Sequence, residues 1–247
     1  MAGKIIYGLN AVREALNQSG IVNRLYIAVE TKSKVTAQLL DQAKSSNVRI
    51  DFVPQAKLND LTGTQEHQGV AAAISPVTYA TLEACLQRCG KHACLLVLDQ
   101  VQHPKNVGLM IRTAVGAGVS GIILTTHGGM LLDDSIIRAS AGTVLRIPVV
   151  CTSSLPSTLR ELKEKGFWVY GLDADGDSSV FNTPWADRTV LVVGNETKGM
   201  RPTTIKACDA IVSIPLDNDL DSLNAAVATG IALFQVRQCH IAAQMKA

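Results

Sequence analysis

Ala93-Cys94-Leu95-Leu96-Val97-Leu98, followed at once by Asp99-Gln100-Val101-Gln102-His103-Pro104-Lys105-Asn106-Val107-Gly108-Leu109-Met110-Ile111-Arg112-Thr113-Ala114, decides the fold class. Six apolar residues without alternation fit a strand buried on both faces, as central strands of parallel sheets are. The chain then turns polar and resumes with helical spacing from about residue 106 to 117. The same succession recurs downstream. Strands are expected at Gly121–Thr125, 167–172, 189–193 and 210–214, with a helix near 154–165 and a long final helix from 222 to about 240. Such alternation predicts an α/β domain with a parallel sheet covered by helices on both faces.

Upstream of residue 93 the pattern is shorter. Ala11, Val12, Ala15 and Leu16 have helical spacing, 24–29 reads as a strand, and a helix is expected around 35–43. A strand at Arg49–Val53, a short helix from Pro54 to near Gly63, and a buried strand at 69–74 stopped by Pro76 complete a small α/β unit. The expected organisation is therefore a small domain over 1–76, a linker over 77–91 holding a short helix around Leu82 and Leu86, and a larger domain over 92–247. No internal repeat interrupts it.

Composition narrows the function classes. Of 247 residues, 47% are hydrophobic, enough to build cores for both domains. No run reaches the roughly eighteen apolar residues of a membrane span, and the N-terminus lacks the apolar region of a secretory signal. Cys85, Cys89, Cys94, Cys151, Cys208 and Cys239 form no CxxC pair and have no matching cluster of histidines. Buried thiols in a reducing cytoplasm are expected, and no metal. The net charge is +2, so bulk electrostatics do not point to nucleic acid. An RNA partner would need a local patch.

Three segments carry chemistry, each leaving a buried strand for a polar turn, where open parallel sheets bind ligands. The first holds Asn106 and Arg112, six residues apart. Read alone, it is equally a helix N-terminus with an exposed arginine. The second, Leu191-Val192-Val193-Gly194-Asn195-Glu196-Thr197-Lys198-Gly199-Met200, has two glycines that permit a tight turn. It is neither a Rossmann fingerprint nor a P-loop, and an ordinary strand-to-helix turn reads the same way. The third runs Ile211-Val212-Ser213-Ile214-Pro215-Leu216, then Asp217-Asn218-Asp219-Leu220-Asp221, then Ser222-Leu223-Asn224-Ala225. Asp221 or Ser222 would cap the last helix. That leaves Asn224, a modest helix former, unexplained in an Ala-rich helix start.

Taken together the three are far more specific. Pro-x-Asn-x-Gly-x-x-x-Arg-Thr-Ala, then Gly-x-Glu-x-x-Gly, then Ile-Pro followed by Ser-Leu-Asn, resembles the three motifs of the SpoU/TrmH methyltransferases of the SPOUT superfamily. The likeness covers roughly residues 93–240, and Ala139-Ser140-Ala141-Gly142 resembles a segment found between the first two motifs. Ile6-Tyr7-Gly8-Leu9-Asn10-Ala11-Val12 and His67-Gln68-Gly69-Val70 resemble the RNA substrate-binding domain of one branch of that family. His67 is read as structural or RNA-contacting.

The resemblance implies a trefoil-knotted catalytic domain that binds S-adenosylmethionine in loops of its knot. It implies a homodimer acting on RNA, without a metal or a membrane. The implied reaction is 2′-O-methylation of ribose, at a guanosine of 23S rRNA; tRNA is the alternative substrate, and a noncatalytic ribosome-assembly factor the alternative class. Carried over residue by residue, Arg112, Asn106, Glu196, Ser222 and Asn224 are the implied catalytic set, and Gly194, Gly199, Ile214 and Leu223 the implied cofactor contacts. In this reading Glu196 orients Arg112 or Asn106, and Ser222 with Asn224 positions the ribose. Lys105, Arg138, Arg146, Lys198 and Arg201 are candidates for a phosphate patch, each equally readable as a solvated charge. Two departures stand out. Thr197 replaces a glycine usual in the second motif and should stiffen its loop, and the lead into the third motif is unusually acidic.

Overall fold

The structure, a computed structural model, describes residues 4–31, 33–217 and 220–245. Its residues form two compact units. The first comprises residues 1–78 together with 132–146. Its strands β1 (Lys4–Tyr7), β2 (Val22–Ala28), β3 (Arg49–Val53) and β4 (Val70–Ile74) make one sheet in the order β1-β4-β2-β3, antiparallel except for the β2–β3 pair. Helices α1 (Leu9–Leu16), α2 (Lys34–Ser45) and α3 (Gln55–Thr62) complete the α/β unit. The α3 end is set by Gly63, which adopts φ 68° as its C-cap.

His67 proves structural in this unit. Its ring is buried, Nδ1 accepts the Gly69 amide at 3.0 Å, and Nε2 lies 2.8 Å from Asn59 Oδ1. This pairing places the proton on Nε2, donating to Asn59.

The linker stretch contains α4 (Leu82–Leu86), and the second unit runs over 79–131 and 147–247. In it, β5 (Ala93–Leu98) is buried at every residue. It is followed by α5 (Pro104–Gly116) and β6 (Gly121–Thr125). The chain then enters α6 (Asp134–Ala139) and a 3-10 turn at Thr143–Arg146, which belong to the first unit. There Arg146 pairs with the buried Glu14, and the Arg138 guanidinium lies 4.9 Å from the centre of the Tyr7 ring. The chain boundary expected near residue 92 thus separates sequence stretches, whereas the compact units interleave them.

The second unit continues through β7 (Val149–Thr152), α7 (Leu155–Glu164), β8 (Trp168–Leu172), β9 (Ser178–Ser179), β10 (Arg188–Val193), α8 (Pro202–Ile205), β11 (Ala210–Ser213) and α9 (Ala225–Gln244). Seven strands form a sheet in the order β7-β6-β5-β10-β8-β11-β9, and every adjacent pair is parallel. Leu95 and Val97 of β5, with Val190 and Val192 of β10, share a core with Leu155, Leu159 and Leu162 of α7. Alternation sends Leu96, Leu98, Leu191 and Val193 to the other face. There α9 contacts β10 and packs along α5, with a Cβ added at Gly230 standing only 3.3 Å from Thr113 Cγ2.

This order sets the site. The chain moves outward from β5 to β6 and β7, then returns so that β10 lies between β5 and β8. Registers Leu98↔Val193, Val193↔Leu172 and Leu172↔Val212 bring four parallel strands to an end at nearly one level. Their following loops must share one edge of the sheet, at a switch in strand order where such sheets hold ligands. No helix among the described residues is long and apolar enough to cross a membrane.

Candidate active site

The loop after β10 is shaped by its glycines. Gly194 is buried, and a Cβ there would fall 2.2 Å from both Gly199 C and Met200 N. The chain doubles back past it: Asn195 N–H donates to Gly199 O at 3.0 Å, and Gly199 N–H returns to Asn195 O at 2.9 Å. The reversal is completed at Gly199, with φ 66°. Thr197 is not among the residues with positive φ, so its β-branch costs the loop nothing. The turn needs glycine at 199, not at 197.

Asn195 and Asp99 fasten this loop to the one after β5. Asn195 Oδ1 accepts the amides of Thr197 and Lys198, while Nδ2 donates to Gln100 O at 2.9 Å. Gln100 itself takes φ 61°, a conformation that non-glycine residues rarely hold without such support. Asp99 is fully buried and accepts the Arg201 backbone amide at 3.1 Å and its Nε at 2.8 Å. Burial of a carboxylate demands a partner of this kind. Arg201 is therefore an internal brace.

Glu196 sits where three segments meet. Its Oε1 accepts Asn106 Nδ2 at 3.0 Å and the His103 amide at 3.2 Å, and its Oε2 accepts the Gln102 amide at 3.4 Å. Burial alone would push its carboxyl up. Hydrogen bonds from its own backbone, from Asn106, and from the amides of His103 and Gln102 outweigh burial and hold it below the ordinary carboxylate value. The ionised group lies against the first turn of α5, where negative charge is favoured and where Pro104 supplies a pre-set helix start.

Asn106 in turn accepts from Asn224 Nδ2 at 3.2 Å. Asn224 is the N-cap of α9, its Oδ1 accepting the amides of Ala226 at 2.9 Å and Val227 at 3.4 Å. Neither Asp221 nor Ser222 caps the helix. The expected start at 222 moves to 225 because Asn224 carries both tasks, capping with its oxygen and reaching Asn106 with its nitrogen. Glu196, Asn106 and Asn224 thus form one chain of side chains from all three motif segments.

Beside that chain lies a cavity of about 270 Å³. Gly194, Gly199, Ile214 and Leu223 all line it, as do Glu196 and Ser222. Leu172, Val193 and Leu216 add apolar wall, and Asp173 adds a second carboxylate. Asn106, Arg112 and Asn224 do not line it. Arg112 is exposed on α5 and makes no hydrogen bond or ion pair among the described residues. Among the described residues Glu196 bonds Asn106 and does not reach Arg112. Sequence reading does not single out Asp173, Leu172 or Leu216, although Asp173 directly follows the strand expected at 167–172, which Leu172 ends.

The basic residues divide. Arg146, Arg138 and Arg201 are spent on Glu14, Tyr7 and Asp99. Lys105 and Lys198 stay exposed. In the third-motif lead, Asn218 and Asp219 lie outside the described residues. All six cysteines are free, and burial pushes the Cys85 thiol up to about 11 and those of Cys94 and Cys208 up to about 12. Those three thiols remain protonated near neutrality.

Residues 93–234 match the SpoU rRNA Methylase family, and residues 5–80 match the RNA 2'-O ribose methyltransferase substrate binding family. The chain is 34% identical over 239 residues to a putative TrmH family tRNA/rRNA methyltransferase of Staphylococcus aureus, covering 96% of each chain. It is likewise 34% identical to the 23S rRNA (guanosine-2'-O-)-methyltransferase RlmB of Nitrosomonas europaea, covering 95% of this chain and 91% of that one. The crystal structure of an AdoMet-bound rRNA methyltransferase from Sinorhizobium meliloti superposes with a TM-score of 0.78 at 26% identity, covering 96% of this chain and 87% of that chain. A parallel sheet whose loops gather the three motifs, joined to a matching substrate-binding unit, makes this chain a member of the SpoU rRNA methylase family.

Proposed function

We propose that the protein methylates a ribose 2′-hydroxyl in RNA, using S-adenosylmethionine, with a guanosine of 23S rRNA as its target. The observation that carries this reading is the Glu196–Asn106–Asn224 chain standing at a cavity lined by Gly194, Gly199, Ile214 and Leu223. The residues present fit the cofactor. Apolar walls from Val193, Ile214 and Leu223 suit an adenosine, the tight Gly194 turn leaves backbone open to approach, and the carboxylates suit a cation. When bound, S-adenosylmethionine supplies a methyl group activated by its sulfonium.

The protein's own task is to prepare the hydroxyl. At neutral pH a sugar hydroxyl is a weak nucleophile, so its proton must leave and the developing alkoxide must be stabilised. Arg112 acts through its guanidinium charge and its planar set of donors, not as the base. It clamps the adjacent RNA phosphate and stabilises the alkoxide, while that phosphate or a water takes the proton. Asn106 and Asn224, held in one orientation by the ionised Glu196, position the ribose together with Ser222. Lys105 and Lys198 lie on the two motif segments as phosphate contacts.

The active form is a homodimer. Val227, Phe234 and Ile241 recur every seven residues on α9 and are 53%, 50% and 40% exposed, so they make one apolar stripe along that helix. Leu109 on α5, against which α9 packs, is 40% exposed as well.

Incubation with tritiated S-adenosylmethionine and separately purified, unmodified rRNA and tRNA tests the reading, with nuclease digestion and nucleoside analysis. Label in 2′-O-methylguanosine from 23S rRNA is the expected result. Label in tRNA alone would keep the chemistry and overturn the substrate. No label with either RNA and no cofactor binding would overturn the activity itself.

A further inference from the structure

The charge of the cavity wall is lopsided. Asp173 and Glu196 line it, and among the described residues no lysine, arginine or histidine does. Glu196 has both oxygens engaged, as described above. Asp173 does not. Its backbone N–H donates to Val212 O at 3.0 Å, which carries the β8–β11 ladder one residue further and fixes where the side chain starts. Its Oδ1 accepts the Asp175 amide at 3.3 Å. Its Oδ2 accepts no hydrogen bond among the described residues and lies beside the loop that walls the cavity, 3.4 Å from where a Cβ on Gly199 would stand. A carboxylate oxygen that a ligand removes from water without a partner is costly, so a ligand filling this cavity must bring a donor to it, and a cation offsets that cost best.

We propose that Asp173 is the counter-charge for the cationic part of S-adenosylmethionine, its sulfonium or its α-ammonium. The inference rests on the cofactor reading above and adds a residue that lies in none of the three motif segments. Unlike the backbone contacts expected of Gly194 and Ile214, a carboxylate distinguishes ligands by charge.

The test is calorimetric binding of S-adenosylmethionine and of S-adenosylhomocysteine to the wild type, Asp173→Asn and Asp175→Asn. Asparagine keeps an Oδ1 to accept the Asp175 amide, so the turn survives while the charge goes. Asp173→Ser, whose hydroxyl can accept the same amide, is the second variant should the asparagine fail to fold. Asp173→Asn is expected to weaken S-adenosylmethionine roughly tenfold, the low end for a lost charged hydrogen bond. The exposed Asp175→Asn should bind as the wild type does. Loss confined to S-adenosylmethionine assigns the sulfonium, and equal loss of both ligands assigns the ammonium. Unchanged affinity for both ligands in Asp173→Asn, or an equal loss in Asp175→Asn, overturns the proposal. A wild type that binds neither ligand overturns the cofactor reading and this inference with it.

Discussion

Replacing Glu196 by glutamine preserves its shape and removes its charge, which isolates what the charge does. The carboxylate accepts from Asn106 at 3.0 Å, His103 N at 3.2 Å and Gln102 N at 3.4 Å. Glutamine keeps one oxygen for Asn106 and His103 but turns an NH2 toward the Gln102 amide, so a donor faces a donor. Weakening two charge-assisted bonds to neutral ones and losing the third amounts to roughly 2–3 kcal/mol, trimmed to about 2 kcal/mol because the site is partly open to water. Urea unfolding near pH 7 should show that loss. The pH dependence has a definite sign. Because the folded carboxyl titrates below its ordinary value, its contribution is complete above the unfolded carboxylate pKa and is lost as pH falls through the lower folded pKa. The gap between wild type and Glu196→Gln should therefore be widest at neutral pH and close on acidification. Methyl transfer should fall about 10- to 100-fold as Asn106 loses its fixed orientation. Wild-type stability together with wild-type transfer in Glu196→Gln would refute the account. A gap that does not change with pH would refute its electrostatic part.

Arg112→Ala should abolish transfer while leaving stability within about 0.5 kcal/mol of wild type, since the exposed side chain has no partner among the described residues to lose; single-turnover labelling and a melting curve check both halves. Asn224→Ala should cost about 1 kcal/mol through loss of the α9 cap as well as most of the rate. Asn224→Asp keeps a capping oxygen but has no Nδ2 to donate to Asn106, so it should remain stable and still be slow; a fast Asn224→Asp would confine Asn224 to capping. Phe234→Asp should convert a dimer to a monomer in light scattering, and an unchanged mass would remove the α9 stripe from the interface.

What the sequence revealed followed from how local the cause was. Arg49–Val53, Ala93–Leu98 and Gly121–Thr125 could be bounded to the residue because each is a strand-forming run that ends at polar or turn-forming neighbours. The four-residue strands Lys4–Tyr7 and Val149–Thr152, and the helix Pro202–Ile205, are too short to show a period. Within the site, Gly194, Gly199, Ile214 and Leu223 follow from the family resemblance, and the structure places all four on the cavity wall. The Asp99–Arg201 pair spans 102 positions and depends on two loops meeting, which no spacing rule foresees. Arg146 looks like a surface charge in sequence, and only the fold brings it to Glu14, 132 residues earlier. Asn224 is the most instructive case. Its low helix propensity was visible, and the cap that explains it was sought two or three residues too early.

The arrangement separates residues that are fixed from residues that are left free. Glu196, Asn106 and Asn224 satisfy one another, so their orientation is set by folding and need not be assembled when RNA arrives. Arg112 and Ser222 have no hydrogen-bond partner among the described residues, which is the condition under which a side chain can spend its hydrogen bonds on substrate. The two groups meet on α5 and α9: Asn106 and Arg112 share the first helix, and Asn224 caps the second. Asn224 also begins the helix that carries the Val227, Phe234 and Ile241 stripe, with Val227 giving its amide to the Asn224 cap. Whatever covers that stripe therefore bears on the helix end that holds Asn106 in place. In the proposed homodimer, association of two copies and readiness of the site would therefore be linked, and a monomer would retain the polar chain while losing the support behind it.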